Sequence, residues 1–213
     1  VLVSPNQTHY FLDQGTPRGL TVDAAALFEA ELNRKHRTGS RPFRVILIPV
    51  QQDELLPSLL AGRGDIVASG LTITPERKAR ADFSNPTYRN VSEIVVTGPA
   101  SPHVGTLDDL AGQEVFVRRS SSYYGSLQRL NAGFQRRGLA PVRLREAPEA
   151  LENEDLLEML NAGLVSLVVI DAGLMDADQL NFHPLENTES TGLAPSQLLA
   201  FVASCGRDAV IAE

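Results

Sequence analysis

The chain has 213 residues, a formal net charge of −7 and a pI near 5.1. This acidic balance argues against nucleic-acid binding, which depends on Lys and Arg side chains that neutralise phosphates. No apolar run approaches the roughly 20 residues of a membrane helix, and the single cysteine, Cys205, excludes an internal disulfide and a cysteine-rich metal site.

The size suits one large domain or two lobes of about a hundred residues each. The four histidines are scattered without metal-ligand spacing, so we expect no metal and no cofactor. The N-terminus lacks a basic, apolar leader, and residues 1–4 already have the character of a strand. We therefore expect that a signal was removed or that the chain is an excised domain.

In the first half, strands are predicted at 1–4, 44–50 and 66–68, and helices at 54–61 and from Gly19, with Asp23 as a plausible N-cap. The resulting β-α-β unit indicates a parallel sheet. Because ligands of such sheets lie past the carboxyl ends of the strands, the loop 5–15 with Tyr10 is a candidate wall. The strand 66–68 meets Ser69 and Gly70, where a ligand could approach the backbone closely.

The segment 70–78 reads Gly-Leu-Thr-Ile-Thr-Pro-Glu-Arg-Lys. Its proline is typical of the first turn of a helix, which places Arg77 beside the amides of that turn. A guanidinium next to these amides and a threonine hydroxyl can bind both oxygens of a carboxylate. Alternatively, Arg77 is a surface arginine paired with Glu76 or Asp82.

In the second half, strands are predicted at 91–97, 114–117, 141–146 and 166–170, with a linker at 98–102. A capped helix is predicted at 106–112, and longer helices at 150–162 and from the serines 120–122 to near Arg137. Serines before a helix are first of all caps, but a helix N-terminus is also an anion site. Asp171 ends the strand 166–170, either as a helix cap or as a ligand-facing carboxylate.

The segment 70–78, followed by Asp-Phe-Ser at 82–84 and Pro-x-Tyr at 86–88, resembles the signature of the family 3 solute-binding proteins, the amino-acid receptors of bacterial importers. This resemblance implies the α/β, two-lobed type II periplasmic binding protein fold, in which each lobe is a mainly parallel sheet flanked by helices. We assign residues 1–98 to lobe one, 99–187 to lobe two and 188–213 to a return to lobe one. That return departs from the family, since the usual strand and terminal helices are hard to find in 193–213.

The resemblance also implies roles for individual residues. Thr72 and Arg77 would hold a ligand's α-carboxylate, with help from Ser121 and Ser122, and Asp171 would receive its ammonium group. Further residues at family site positions are Tyr10, which supplies an aromatic face or merely covers the lobe's edge; Gln52, which cannot stack as an aromatic would; and Arg118, a ligand-facing base. Ser69 and Gly70 complete the predicted set.

Residues 117–127 and 150–163 resemble the binding module that precedes the lytic domain in membrane-bound lytic murein transglycosylase F and its relatives. This likeness implies a regulatory module that senses cell-wall stem peptides, in the periplasm and anchored to the membrane in the full-length protein. No glycosidase chemistry is visible in the chain, because the acids have other predicted roles. Its partner would be a C-terminal lytic transglycosylase domain.

Two alternatives stay open. One is the receptor of an ABC importer, which would bind one free amino acid tightly and meet a permease. The other is an enzyme like the cyclohexadienyl dehydratases, which resemble family 3 receptors and need a general acid. In each case we expect a monomer with a small-molecule ligand and no nucleic acid. The identity of that ligand depends on a few loop residues and is not predicted.

Overall fold

A computed structural model describes residues 1–86 and 92–171 in full and residues 197–204 by their backbone. The chain divides into two compact units. Unit 1 comprises residues 1–87 and 199–213, and unit 2 comprises residues 88–198. Each unit contains a mixed sheet with parallel strands at its centre, so the predicted α/β class is confirmed.

The elements follow one another in a mainly alternating order. The first part of the chain forms β1 (Leu2–Val3), β2 (Phe11–Asp13), β3 (Thr16–Arg18), α1 (Leu20–His36), β4 (Ile48–Pro49), α2 (Leu55–Leu60), β5 (Ile66–Ile73), α3 (Pro75–Lys78) and β6 (Ala81–Phe83). The second forms β7 (Glu93–Thr97), β8 (Glu114–Arg118), α4 (Ser122–Arg136), β9 (Arg143–Ala147), α5 (Asn153–Asn161) and β10 (Leu167–Asp171). The last strand is β11 (Gln197–Ser204).

The sheet of unit 1 has the order β4-β1-β5-β11-β6. Strand β1 is parallel to both neighbours, with Leu2 opposite Ile48 on one side and Val67 on the other. Helix α2 covers this sheet through Leu55 and Leu59, which are at most 1% exposed. This is the predicted β-α-β unit, and it directs the carboxyl ends of β1 and β5 to the same edge.

The sheet of unit 2 has the order β7-β10-β8-β9, with β10, β8 and β9 parallel and β7 antiparallel to β10. Successive side chains of β8 point to opposite faces. Val115 and Val117 pack in the cluster that contains Leu127 of α4, while Phe116 packs in the cluster that contains Leu160 of α5. The sheet is therefore covered by a helix on each face, which explains its nearly continuous apolar strands.

Strand β5 is longer than the sequence indicated. We expected it to stop at Ser69 and Gly70, but it continues to Ile73 because Leu71 and Thr72 are also buried. The small residues thus lie within a strand and not at its end. Helix α1 likewise begins earlier than predicted, with Gly19 as N-cap, so that Asp23 lies in the first turn, where its charge still favours the helix dipole.

Strand β7 belongs to the sheet of unit 2, although we expected it to lie before the crossing at 98–102 and so in lobe one. All five of its residues are buried and pair with β10, so the chain has entered unit 2 by Glu93. The hairpin β2-β3 was also not predicted; its turn residues Gln14 and Gly15 both have positive φ. Of the strand predicted at 44–50, only Ile48–Pro49 forms.

Strand β11 lies in the segment 193–213, where the sequence pattern gave no strand. It pairs antiparallel with β6, with Val202 opposite Phe83, and so returns to the sheet of unit 1. The predicted return linker at 187–192 lies outside the described residues.

We expect Leu160→Ala to lower the free energy of unfolding of unit 2 by about 2–5 kcal/mol, because the leucine is fully buried between α5 and the sheet. The matched control is Leu164→Ala, since Leu164 is 66% exposed and should cost much less. Urea unfolding of the two variants measures the difference. Equal losses of unfolding free energy in the two variants would contradict the buried position of Leu160.

Candidate ligand-binding site

The predicted carboxylate-binding residues of unit 1 lie together at the end of β5. Thr74 caps α3, and its Oγ1 accepts a hydrogen bond from the amide of Arg77 at 3.2 Å. The guanidinium then turns back to the strand, where Nη1 donates to the carbonyl oxygen of Thr72 at 2.8 Å. Thr72 is 6% exposed. The proline-started turn predicted from the sequence is confirmed, and it holds Arg77 against Thr72.

This anchoring leaves Arg77 suited to a carboxylate. A guanidinium has five N–H donors in a planar fork, so one donor can fix its position while others bind an anion. The Arg77 residue is partly exposed, unlike Thr72. The arrangement can therefore present a permanent positive charge at the end of a strand, which is what α-carboxylate binding requires.

Three more predicted residues of unit 1 have local partners. Ser69 Oγ donates to Oε1 of Gln52 at 3.1 Å, which joins β5 to the short 3-10 helix Gln52–Glu54. Gly70 lies in the middle of β5. Tyr10 is 7% exposed and packs with Val3 and Ala68, as the edge-covering alternative expected. Ligand contacts by these residues stay a prediction.

In unit 2, Ser121 caps α4. Its hydroxyl accepts from the amide of Tyr124 at 3.3 Å and donates to the carbonyl oxygen of Arg118 at 2.8 Å. The preceding Ser120 instead binds Glu149, through both its amide and its hydroxyl. The serines thus fix the turn between β8 and α4, and the capping role that the sequence predicted is present.

Arg118 forms a buried ion pair. Its side chain is 5% exposed, Nη1 lies 2.8 Å from Oε2 of Glu152, and Nη2 donates to Oδ1 of Asn153 at 3.0 Å. These contacts join the end of β8 to the start of α5. We expected Arg118 to face a ligand, but in the structure the guanidinium binds two side chains of its own unit. Its ligand-binding role stays a prediction.

Asp171 ends β10, and its backbone amide donates to the hydroxyl of Tyr123 at 3.1 Å. The same hydroxyl accepts from Nδ2 of Asn153 at 3.4 Å. Tyr123 is buried, and this burial, together with the charge of Asp171, raises the pKa of its phenol well above the usual value. Tyr123 is therefore a neutral phenol that fixes the backbone of the predicted ammonium-binding residue.

Sequence reasoning missed Glu93. It is the first residue of β7 and lies opposite Asp171 in the pairing of β7 with β10. Only 1% of the residue is exposed, and its carboxyl accepts hydrogen bonds from Ser126 and Ser122 of α4. Burial raises the pKa of Glu93, and the charge of Asp171 raises it further. The sequence feature that could have indicated Glu93 is the single acid directly before the apolar run 94–96.

The described ranges 1–86 and 92–171 contain neither a candidate metal-binding cluster nor a helix that could span a membrane. No three His, Cys, Asp or Glu side chains there are grouped so that they could hold a metal ion. Nor does any helix of that part of the chain have the length and hydrophobicity needed to cross a bilayer.

Residues 2–169 match the bacterial extracellular solute-binding proteins, family 3. The chain belongs to this family. Solved structures agree at the level of the fold. The substrate-binding protein of an amino acid ABC transporter matches with a TM-score of 0.71 and 19% identity, over 97% of this chain and 86% of that one. Holo ArgBP from T. maritima matches with a TM-score of 0.68 and 22% identity, over 96% and 82% of the two chains.

Two relatives of this family 3 domain are membrane-bound lytic murein transglycosylases F. The protein from Maricaulis maris is 30% identical over 164 residues, which are 77% of this chain and 33% of the relative. The protein from Desulfosudis oleivorans is 29% identical over 175 residues, which are 82% of this chain and 35% of the relative. The family 3 domain thus spans about a third of the length of these relatives, and the predicted resemblance to this group is confirmed.

We expect Arg118→Ala to lower the free energy of unfolding of unit 2 by about 3 kcal/mol, because it leaves a largely buried Glu152 carboxylate without its cation. The matched control is Arg145→Ala. Arg145 pairs with Glu114 on the surface, where both side chains are about half exposed, so its loss should cost less than about 1 kcal/mol. Denaturant unfolding measures both. A stability unchanged by Arg118→Ala would contradict a structural role for the pair.

Proposed function

We propose that this chain is an extracytoplasmic binding module that closes on an amino acid or a short peptide. It holds the ligand's α-carboxylate through Thr72 and Arg77, with Ser121 and Ser122, and its α-ammonium group through Asp171. The module is the regulatory part of a periplasmic, membrane-anchored protein like lytic murein transglycosylase F. Its ligand in that setting is a murein stem peptide, and the module itself carries out no reaction.

The observation that carries this proposal is the contact of Arg77 with the carbonyl oxygen of Thr72 at 2.8 Å. It fixes a permanently charged, planar donor beside a threonine at the end of a parallel strand, at the two positions that the family motif marks for carboxylate binding. An arginine placed only for surface charge has no need of such an anchor, since exposed ion pairs contribute little stability.

Asp171 supports the ammonium half of the proposal. It follows four buried apolar residues of β10, and its amide is fixed by the buried Tyr123 hydroxyl. A carboxylate held at the edge of a parallel sheet suits a cationic group, because attraction between opposite charges is stronger near a protein interior than in water. Helix α4 begins at Ser122, and its N-terminus favours a carboxylate nearby.

The relatives favour the cell-wall setting, since both transglycosylases named above match most of this chain. An importer receptor remains the second candidate, because the substrate-binding protein of an amino acid ABC transporter shares the fold over almost the whole chain. The two differ in ligand: a receptor binds one free amino acid, whereas a cell-wall sensor binds stem peptides.

A thermal-shift screen against the free amino acids and a panel of murein stem peptides tests the choice. A ligand that binds only the folded state stabilises it by about 2.7 kcal/mol at a hundred times its Kd. A shift with stem peptides alone supports the cell-wall sensor, and a shift with one amino acid supports the receptor. The absence of a thermal shift with every compound contradicts the binding function. Turnover of prephenate or arogenate would indicate a dehydratase instead.

We expect Arg77→Ala to weaken binding of any ligand found in this screen by at least about a hundredfold, because a charge-assisted carboxylate contact is lost. Arg77→Lys keeps the charge but loses the planar fork, so it should recover only part of the affinity. Arg80→Ala is the matched control, since Arg80 is exposed on the next turn of the chain. Calorimetric titration measures affinity, and circular dichroism checks the fold. Full affinity in Arg77→Ala would overturn the carboxylate assignment.

A further inference from the structure

Glu93 is a buried acid that the predicted site does not use. It is 1% exposed, although the rest of β7 is apolar apart from Thr97. Its Oε2 atom has no hydrogen-bond partner among the described residues. A buried carboxyl oxygen in this state is costly, so its presence in an otherwise apolar strand calls for a physical reason.

The neighbours of Glu93 come from two elements. Asp171 lies directly opposite on β10, where side chains of paired residues are about 5 Å apart at Cβ. From α4, Ser122 and Ser126 donate to the Glu93 carboxyl. The positive charge of Arg129, also on α4, acts on the Glu93 carboxyl from a greater distance. Its Nη2 donates to Oγ of Ser126 at 2.9 Å.

Two carboxyl groups side by side repel each other when both are ionised, so each makes ionisation of the other less favourable. Burial and the Asp171 charge both raise the pKa of Glu93, so Glu93 ionises less readily than an ordinary glutamate. A cation bound at Asp171 would reduce the repulsion between the two ionised carboxyl groups. The pair is therefore better suited to a site with an ammonium group than to the same site without one.

We propose that Glu93 and Asp171 form a carboxyl pair that accepts the ligand's ammonium group, with Asp171 in contact with it and Glu93 acting through Asp171 as a positioning residue. This inference rests on the proposed function of Asp171. It narrows the ligand class to molecules with a protonated amine close to a carboxylate, and it disfavours ligands whose amine is acylated.

A simpler structural role makes a different prediction. If Glu93 only ties α4 to the sheet through the two serines, then Glu93→Gln keeps acceptors for both hydroxyls and changes nothing else. If Glu93 belongs to the carboxyl pair, Glu93→Gln removes an ionisable group and with it a pH dependence. The two roles can therefore be separated by titration.

The sign of the pH dependence follows from the pair. A bound ammonium group favours the ionised form of Glu93 and lowers its pKa, so binding releases a proton. Affinity should therefore rise with pH between the pKa of Glu93 in the complex and its higher pKa in the free protein. The steepest possible rise is about tenfold per pH unit, for one proton released.

The first experiment needs no ligand. Carbon-13 NMR of the full chain follows the Glu93 carboxyl during a pH titration, in the wild type and in Asp171→Asn. We expect the midpoint of Glu93 to lie above the usual range and to fall in Asp171→Asn. A midpoint that is unchanged in Asp171→Asn overturns the carboxyl pair.

The second experiment measures Kd between about pH 5 and 7, a range in which an α-amino group with a pKa of about 7.7–8.0 stays mostly protonated. The probes are L-arginine, L-glutamine and the members of the stem-peptide panel, with N-acetyl-L-arginine as the acylated analogue. We expect the wild type to bind more tightly at the upper pH than at the lower, and Glu93→Gln to show no such rise and to match the wild type only at the lower pH. Glu158→Gln is the control, since Glu158 is exposed on α5 of the same unit.

The outcomes separate the two proposals. Equal pH profiles for the wild type and Glu93→Gln, with binding intact, overturn the role of Glu93 and leave the proposed function standing. Tight binding of N-acetyl-L-arginine overturns the role of Glu93 and also the assignment of the ammonium group to Asp171. Failure of every probe and panel member to bind the wild type overturns the proposed function, and with it the ligand-binding part of this inference.

Discussion

The site depends on a constraint of parallel sheets: neighbouring parallel strands end at the same edge. In unit 2, Arg118 and Asp171 are the last residues of the parallel strands β8 and β10. Strand β7 runs the other way, so its first residue, Glu93, arrives at that edge as well. Strand direction alone thus brings three strand ends that carry ionisable residues, from distant parts of the chain, to one edge of the sheet.

The unit satisfies these groups in different ways. Arg118 is neutralised by Glu152, whose own amide bonds to Asp155 in the capping box of α5. Asp171 is tied by its backbone to the Tyr123 hydroxyl, which also binds Asn153. Buried polar networks of this kind stabilise a unit only when their members are paired. The network ties the ends of β8 and β10 to the helices α5 and α4.

Local signals were read correctly from the sequence. The proline at the first position of α3, the capping box at Thr106 and Asp109, and the serine cap of α4 each depend on a few consecutive residues, and each forms as predicted. The alternation of strands and helices gave the α/β class for the same reason. Such features follow from backbone hydrogen bonding near helix ends and need no distant partner.

Features that depend on distant partners were missed. The unit to which β7 belongs is decided by its pairing with β10, and the partners of Arg118 lie on α5, well beyond the motif that contains it. Glu93 was overlooked because its significance comes from Asp171 and α4 and not from its own neighbours in sequence. The strand β11 likewise takes its place from β6, in a segment whose residues showed no clear pattern.

The pairing of β7 with β10 also affects how unit 2 folds. It joins the first and last described strands of the unit, and so it closes a loop that contains β8, α4, β9 and α5. Closing a long loop costs more chain entropy than joining near neighbours, and contacts of large sequence separation slow folding. We therefore expect β8, α4 and β9 to assemble before β7 docks. The edge with Glu93 and Asp171 would then be among the last parts of unit 2 to form, and a newly made chain would bring these two carboxyl groups together only when the unit is nearly complete.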